Sequence, residues 1–174
     1  MADVISRIRP VPPQPDASGE PAYELIELLF FAYRDFVQEA DAVLVRYGFG
    51  RAHHRVLHFV ARNPGLKVAE LLDILKITKQ SLGRVLRDLV DQGFIQSSEG
   101  EEDRRQRLLR VTAKGDRLAR ELNTLQSRRI ENALAAAGPQ AREVATKFLA
   151  AMVNADERRA VEQLVAGPGA DSTS

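Results

Sequence analysis

Residues 66–115 read LKVAELLDILKITKQSLGRVLRDLVDQGFIQSSEGEEDRRQRLLRVTAKG. Within them Val68, Leu71, Leu72 and Leu75 recur three or four apart, the spacing that lines up side chains on one helix face. After a turn through Lys76 and Ile77, the residues Leu82, Val85, Leu86 and Leu89 repeat the pattern, and Gly93 closes a pair of short helices. Residues 94–98 and 108–111 are short and apolar, flank a polar tip at 99–106 and are bounded by Gly93 and Gly100, which predicts the two strands of a hairpin. Two short helices followed by a hairpin describe a winged helix-turn-helix.

Working outward, residues 21–47 contain no internal proline or glycine, and Ala22, Ile26, Leu29, Tyr33, Phe36, Ala40 and Leu44 keep helical spacing. Leu25, Leu28, Phe31 and Val43 add a second apolar flank, so this long helix is expected to pack on two sides, against its own lobe and a partner chain. Gly48 and Gly50 break it, and a second helix over 51–62 presents Val56, Leu57, Phe59 and Val60 before a turn at Asn63, Pro64 and Gly65. Downstream of the hairpin Thr112 suits an N-cap for a long helix to about residue 137. Gly138 then fits a C′ glycine, and Pro139 the first position of a last helix running to about 165.

The expected fold is therefore mainly α, a winged helix-turn-helix carrying long N- and C-terminal dimerisation helices. The expected layout is a flexible arm over 1–20, the first dimerisation helix over 21–50, the DNA-binding lobe over 51–115, two further dimerisation helices over 116–166 and a disordered tail over 167–174. The arm, with Pro10, Pro12, Pro13 and Pro15, lacks the continuous apolar stretch of a signal peptide.

With 174 residues and 28% charged side chains the chain is long enough to bury one core, and a net charge of +1 excludes a uniformly basic body. The absence of cysteine excludes disulfides, thiolate metal sites and thiol redox sensing, and is simplest for a cytoplasmic protein. The apolar run over 25–33 is too short to span a bilayer and contains Glu27. Any nucleic-acid footprint must be local, and the charge is distributed that way. Residues 76–117 hold ten basic and seven acidic side chains, whereas residues 1–50 hold four and eight.

In a helix-turn-helix the second helix enters the major groove with its N-terminal residues at the base edges. Here these are Thr78, Lys79, Gln80 and Ser81, followed by Arg84 and Arg87. Gln80 suits adenine and Arg84 guanine through paired hydrogen bonds, while Thr78, Lys79 and Ser81 suit phosphates or water-mediated contacts. A merely solvated helix face is the competing reading. The hairpin adds Asp103, Arg104, Arg105, Arg107 and Arg110, and an arginine at a hairpin tip can enter the negative minor groove.

The stretch from Asp103 through Arg105 and Thr112 to Gly115 resembles the wing signature of the MarR family of bacterial transcription regulators, Asp-x-Arg, six residues, Thr-x-x-Gly. Leu71, Leu72, Leu82, Leu86, Leu89, Val90, Gly93, Phe94 and Ile95 are similar to that family's apolar frame. The resemblance implies a homodimer with two lobes on palindromic double-stranded DNA, Arg105 in the minor groove and Asp103 bracing a nearby arginine. It also implies a cleft for a small aromatic or carboxylate effector, with Phe30, Tyr33, Arg34, His54 and His58 as candidates, and a ligand-responsive repressor as the function.

His54 and His58 have the i, i+4 spacing of a helical metal pair, but two nitrogens without a third ligand do not make a site, so no metal or other cofactor is expected. No nucleophile elbow, phosphate-cradling glycine loop or carboxylate pair points to an enzyme. The alternative function is a winged helix turned into a protein-protein scaffold, favoured by the acidic Glu99, Glu101 and Glu102 and opposed by Lys79, Arg84, Arg87 and Arg105.

Overall fold

In the computed structural model of the chain, residues 21–100, 103 and 105–167 are described. Helix α1 (Tyr23–Leu44) realises the first apolar repeat and ends in a 3-10 turn over Val45–Tyr47. The expected helix thus changes pitch three residues early. Its last carbonyls are met by tight bonds from Gly48 and Phe49, and Gly48 takes φ 71°, a value that costs glycine nothing. The chain divides at Tyr33 and Arg34 into two compact units. Up to Tyr33 the helix is exposed, including Leu25, Leu28, Phe30 and Phe31; beyond it Val37, Ala40 and Leu44 are buried.

Helix α2 (Arg51–Arg62) begins where the His53 ring accepts the Gly50 N–H at 3.1 Å. The turn at Asn63, Pro64 and Gly65 leads into β1 (Leu66–Lys67), a strand too short to show an alternating pattern in sequence. Helix α3 (Val68–Leu75) starts with the Glu70 carboxylate accepting the Lys67 N–H at 2.8 Å and ends at Lys76 in a left-handed conformation, φ 50°. Thr78 caps α4 (Lys79–Asp91) by accepting the Ser81 N–H at 3.1 Å.

The wing is β2 (Ile95–Glu99) and β3 (Arg107–Val111), antiparallel in the register Ile95↔Val111 to Glu99↔Arg107. Strand β1 adds to the other edge of β3 through Leu66↔Leu109 and Lys67↔Leu108, which gives the order β1-β3-β2 and ties the wing to the start of α3. One core joins these parts. It contains Leu57, Leu71, Leu82, Leu89, Phe94, Ile95, Leu109 and Leu122, each at most 2% exposed.

Helix α5 (Ala113–Ala137) starts at Thr112, whose hydroxyl accepts the Gly115 N–H at 3.1 Å and donates to the Gly93 carbonyl at 2.6 Å. Here the expected N-cap is found. Beyond it the single last helix of the sequence reading is replaced by two, α6 (Ala141–Met152) and α7 (Arg158–Ala166). The interruption has a visible cause: the Arg158 guanidinium donates to the carbonyls of Ala150, Ala151 and Val153 at 3.1–3.2 Å, satisfying the acceptors that a continuing helix would have used. Pro139 is likewise not the first residue of α6. It lies in the turn before the cap residue Gln140, and Gly138 takes φ 100°, ψ 179°. The expected arm over 1–20 and the tail from 168 lie outside the described residues.

A Cβ added at Gly115 would stand 2.0 Å from the Phe94 carbonyl oxygen, so the backbone of α5 lies against the root of the wing with no room for a side chain. Gly115→Ala should therefore lower the unfolding free energy by about 1–3 kcal/mol, the usual cost of overpacking. Urea unfolding followed by circular dichroism measures it.

Candidate nucleic-acid interface

The apolar positions of α4 decide which side of it remains outside. With Leu82, Val85 and Leu89 buried, Lys79, Gln80, Ser81, Gly83, Arg84 and Arg87 are exposed. Thr78 is also exposed, but its hydroxyl is already engaged as the cap of α4 and donates to Ser81 Oγ at 2.9 Å, a local role the sequence reading did not assign to it. Arg87 and the β3 residue Arg107 line one recess of about 280 Å³ with Gly83, Ser97 and Leu109, so cations of helix and wing converge there. Arg105 and Arg110 are exposed on the wing; Arg104 lies outside the described residues.

Asp103 works differently from expectation. Its Oδ1 accepts the backbone N–H of Arg105 at 2.9 Å, so it braces the wing through the main chain of Arg105, and among the described residues it forms no ion pair with a guanidinium. This is a side-chain turn of the kind aspartate favours. It sets where Arg105 leaves the tip.

Ion pairing is uneven over the described residues. Arg34, Arg46, Arg51, Lys76, Arg120, Arg128, Arg129, Arg142 and Lys147 each meet a carboxylate at 2.6–3.2 Å. Among the described residues Lys79, Arg84, Arg87, Arg105, Arg107 and Arg110 form no ion pair. Each exposed pair adds little stability, yet it cancels field. The cations of α4 and the wing therefore add an uncancelled positive charge that a polyanion could meet.

A sequence model described as the MarR family matches residues 47–106. The HTH-type transcriptional regulator PetP of Rhodobacter capsulatus is 47% identical over 139 residues, covering 80% of this chain and 84% of that protein. The chain belongs to the MarR family. It is a DNA-binding transcriptional regulator, which decides against the scaffold alternative. Solved members show the same fold at low identity. FabT of Streptococcus pneumoniae, in complex with DNA, matches with TM-score 0.66 at 17% identity, covering 83% of this chain and 99% of that one. PcaV of Streptomyces coelicolor, in complex with its natural ligand, matches with TM-score 0.61 at 20% identity over 83% and 99%.

The remaining candidate residues lie on α1 and α2. Phe30 and Tyr33 are exposed on the first part of α1, and Arg34 donates to Asp35 at 2.8 Å, which raises the guanidinium pKa and lowers that of the carboxyl. On α2, His58 Nδ1 donates to Asn123 Oδ1 at 3.1 Å and is thereby tied to α5. His54 is half-buried, and burial, with the neighbouring His58 and Arg55, pushes its pKa below the ordinary value against the opposing pull of Asp41. Among the described residues no three of His, Asp or Glu cluster as metal ligands. His53, the third histidine of α2 beside His54 and His58, is joined at 3.1 Å to Asp88 of α4, a partner the sequence did not suggest. The only sequence signal for that pair was His53 at the third position of a helix.

Two tests follow from this geometry. Asp103→Ala should weaken DNA binding although it deletes a negative charge beside phosphates, while Asp103→Asn, which keeps an acceptor for the Arg105 N–H, should not; fluorescence anisotropy with a labelled duplex compares them. Because His54 binds its proton more weakly folded than unfolded, stability should be full above pH 6.5 and fall as pH drops below that value. Denaturation of the wild type and His54→Gln between about pH 7.5 and 5 should show a smaller decline in the variant.

Proposed function

We propose that this chain acts as a cytoplasmic homodimer that represses transcription from an inverted-repeat operator and is released by a small organic effector. The lobe over 51–115 reads the DNA, with α4 in the major groove and Arg105 and Arg107 of the wing at the minor groove. Gln80 and Arg84 make the base contacts, and Lys79, Ser81 and Arg87 approach the backbone. The observation that carries this reading is that, among the described residues, the exposed cations of α4 and the wing form no ion pair and stand together on helix and hairpin. That FabT, which shares the fold, was solved in complex with DNA supports DNA as the partner.

Dimerisation is supported by apolar side chains left at the surface. On α1 these include Leu25, Leu28 and Phe30, and on α6 Val144, Phe148, Leu149 and Met152, the four of α6 each about half exposed or more. Obligate interfaces are apolar in this way. The segments 21–50 and 116–166 are the proposed dimerisation helices. For the effector, PcaV with its natural ligand supports a small-molecule site in this fold. An aromatic or carboxylate ligand suits the candidate set Phe30, Tyr33, Arg34, His54 and His58, which offers rings, a fixed charge and two titratable nitrogens. Such a ligand releases DNA only by binding a non-DNA conformation better, so DNA must weaken ligand binding by the same factor.

Sedimentation should give twice 19.3 kDa. Binding to duplex DNA should fall by about 10³–10⁵ between about 50 and 200 mM salt if six to ten phosphates are neutralised. Gln80→Ala and Arg84→Ala should each cost about 1–3 kcal/mol on a duplex selected by the wild-type protein, and relax one base position apiece. Salt-insensitive binding, or wild-type affinity in both variants, would defeat the docking.

A further inference from the structure

Helix α4 is seated on the lobe by Leu82, Val85 and Leu89. That buried stripe decides which side of α4 faces out, but apolar burial is non-directional, so it fixes the rotation only coarsely. A polar link supplies the direction. His53 Nε2 lies 3.1 Å from Asp88 Oδ2, from α2 across to α4. The ring that makes this bond is itself clamped: the Gly50 N–H donates to Nδ1 at 3.1 Å, and the ring face stacks on Phe49 with centroids 4.7 Å and planes 11° apart. Because Nδ1 accepts, the neutral ring carries its proton on Nε2 and donates it to the carboxylate. Phe49 packs edge-on against Phe94, centroids 5.1 Å apart, at the root of the wing. Asp88 directly follows Arg87 and stands one turn beyond Arg84.

We propose that His53 and Asp88 are a positioning pair that fixes the rotation of α4, and with it the discrimination between DNA sequences, without adding to general affinity. The inference rests on the docking of α4 proposed above. It makes an unusual demand on a carboxylate. By Coulomb's law alone, Asp88, on the helix that approaches DNA, weakens binding to every duplex, and its removal tightens all of them. As a positioning residue its loss instead lowers binding to the correct sequence while random duplex is bound as well as before or better. The two accounts differ in sign for the specific site.

The test uses the full chain, a duplex selected from a random pool by the wild-type protein, and a random-sequence duplex, with affinities from fluorescence anisotropy. Asp88→Ala should lower the ratio of selected to random affinity on the order of tenfold, the effect of losing one hydrogen bond to a charged group. Asp88→Asn, whose Oδ1 still accepts from Nε2, should keep the ratio within about twofold, and Asp88→Ala combined with His53→Ala should fall no further than either alone. Alanine at position 88 suits a helix, so thermal unfolding should show Asp88→Ala folded even if His53→Ala, which also loses the Gly50 bond and the Phe49 stack, is destabilised. An unchanged ratio in Asp88→Ala, or an equal loss in Asp88→Asn, overturns the pairing while leaving the DNA docking intact. A wild-type protein that enriches no sequence overturns both.

Discussion

The structure depends on the crossing of α5 over the root of the wing. Gly115 lies against the Phe94 carbonyl at a distance that excludes any Cβ. Around that contact the Thr112 N–H donates to the Phe94 carbonyl at 3.0 Å, its hydroxyl to that of Gly93, and Lys114 Nζ donates to the Gln92 carbonyl at 2.8 Å while standing 4.2 Å from the centre of the Phe94 ring. These bonds bring the end of α4, both ends of the hairpin and the start of α5 to one point. Once the ends of β2 and β3 are fixed there, the register Ile95↔Val111 follows, because a slip of one residue would turn every wing side chain to the other face. Tyr47 and Phe49 pack against the same Phe94 ring and so attach the end of α1 and the start of α2.

This rigid junction gives the interface its character. A net charge of +1 says little about affinity for a polyanion; what matters is which cations are already neutralised. Among the described residues the arginines of α4 and the wing form no ion pair, while Glu39 alone holds both Arg128 and Arg129, and Glu121 holds Arg46. Carboxylates occur on α4 and the wing as well, Asp91 and Glu99 among them, and two others, Asp103 and Asp88, are each spent on a directional bond, one to the wing backbone and one to His53. A negative group beside phosphates is tolerable where its hydrogen bond preorganises a cation that outweighs it.

Much of this was legible from residue spacing, and the misses share a cause. Helices α2, α3, α4 and α5 fall where apolar repeats and caps put them, since each buries one stripe and is bounded by glycine, threonine or a sharp turn. The break between α6 and α7 was not legible, because it comes from Arg158 folding back onto carbonyls five to eight residues earlier, and no apolar repeat records such a bond. Strand β1 was missed for a related reason: two residues have no period, and only their partner on β3 makes them a strand. For the candidate site, residue types on α4 could be read directly, whereas the role of Thr78 as a cap and of Asp103 as a backbone brace depended on local geometry.

Residue spacing and type alone gave the order of the helices from α1 to α5, the apolar face of each, the glycine at 115 and the cations available to meet DNA. These are properties of spacing and residue type, imposed by the period of a helix and by the steric bareness of glycine. Tertiary structure alone decided which cations remain unpaired and which carboxylates are occupied. It also joined His53 to Asp88, 35 positions apart in the chain, and brought Arg87 to the same recess as Arg107. Hydrogen bonds and ion pairs act over about 3 Å of space with no fixed separation along the chain, so partners this far apart in sequence become neighbours only when the core has closed.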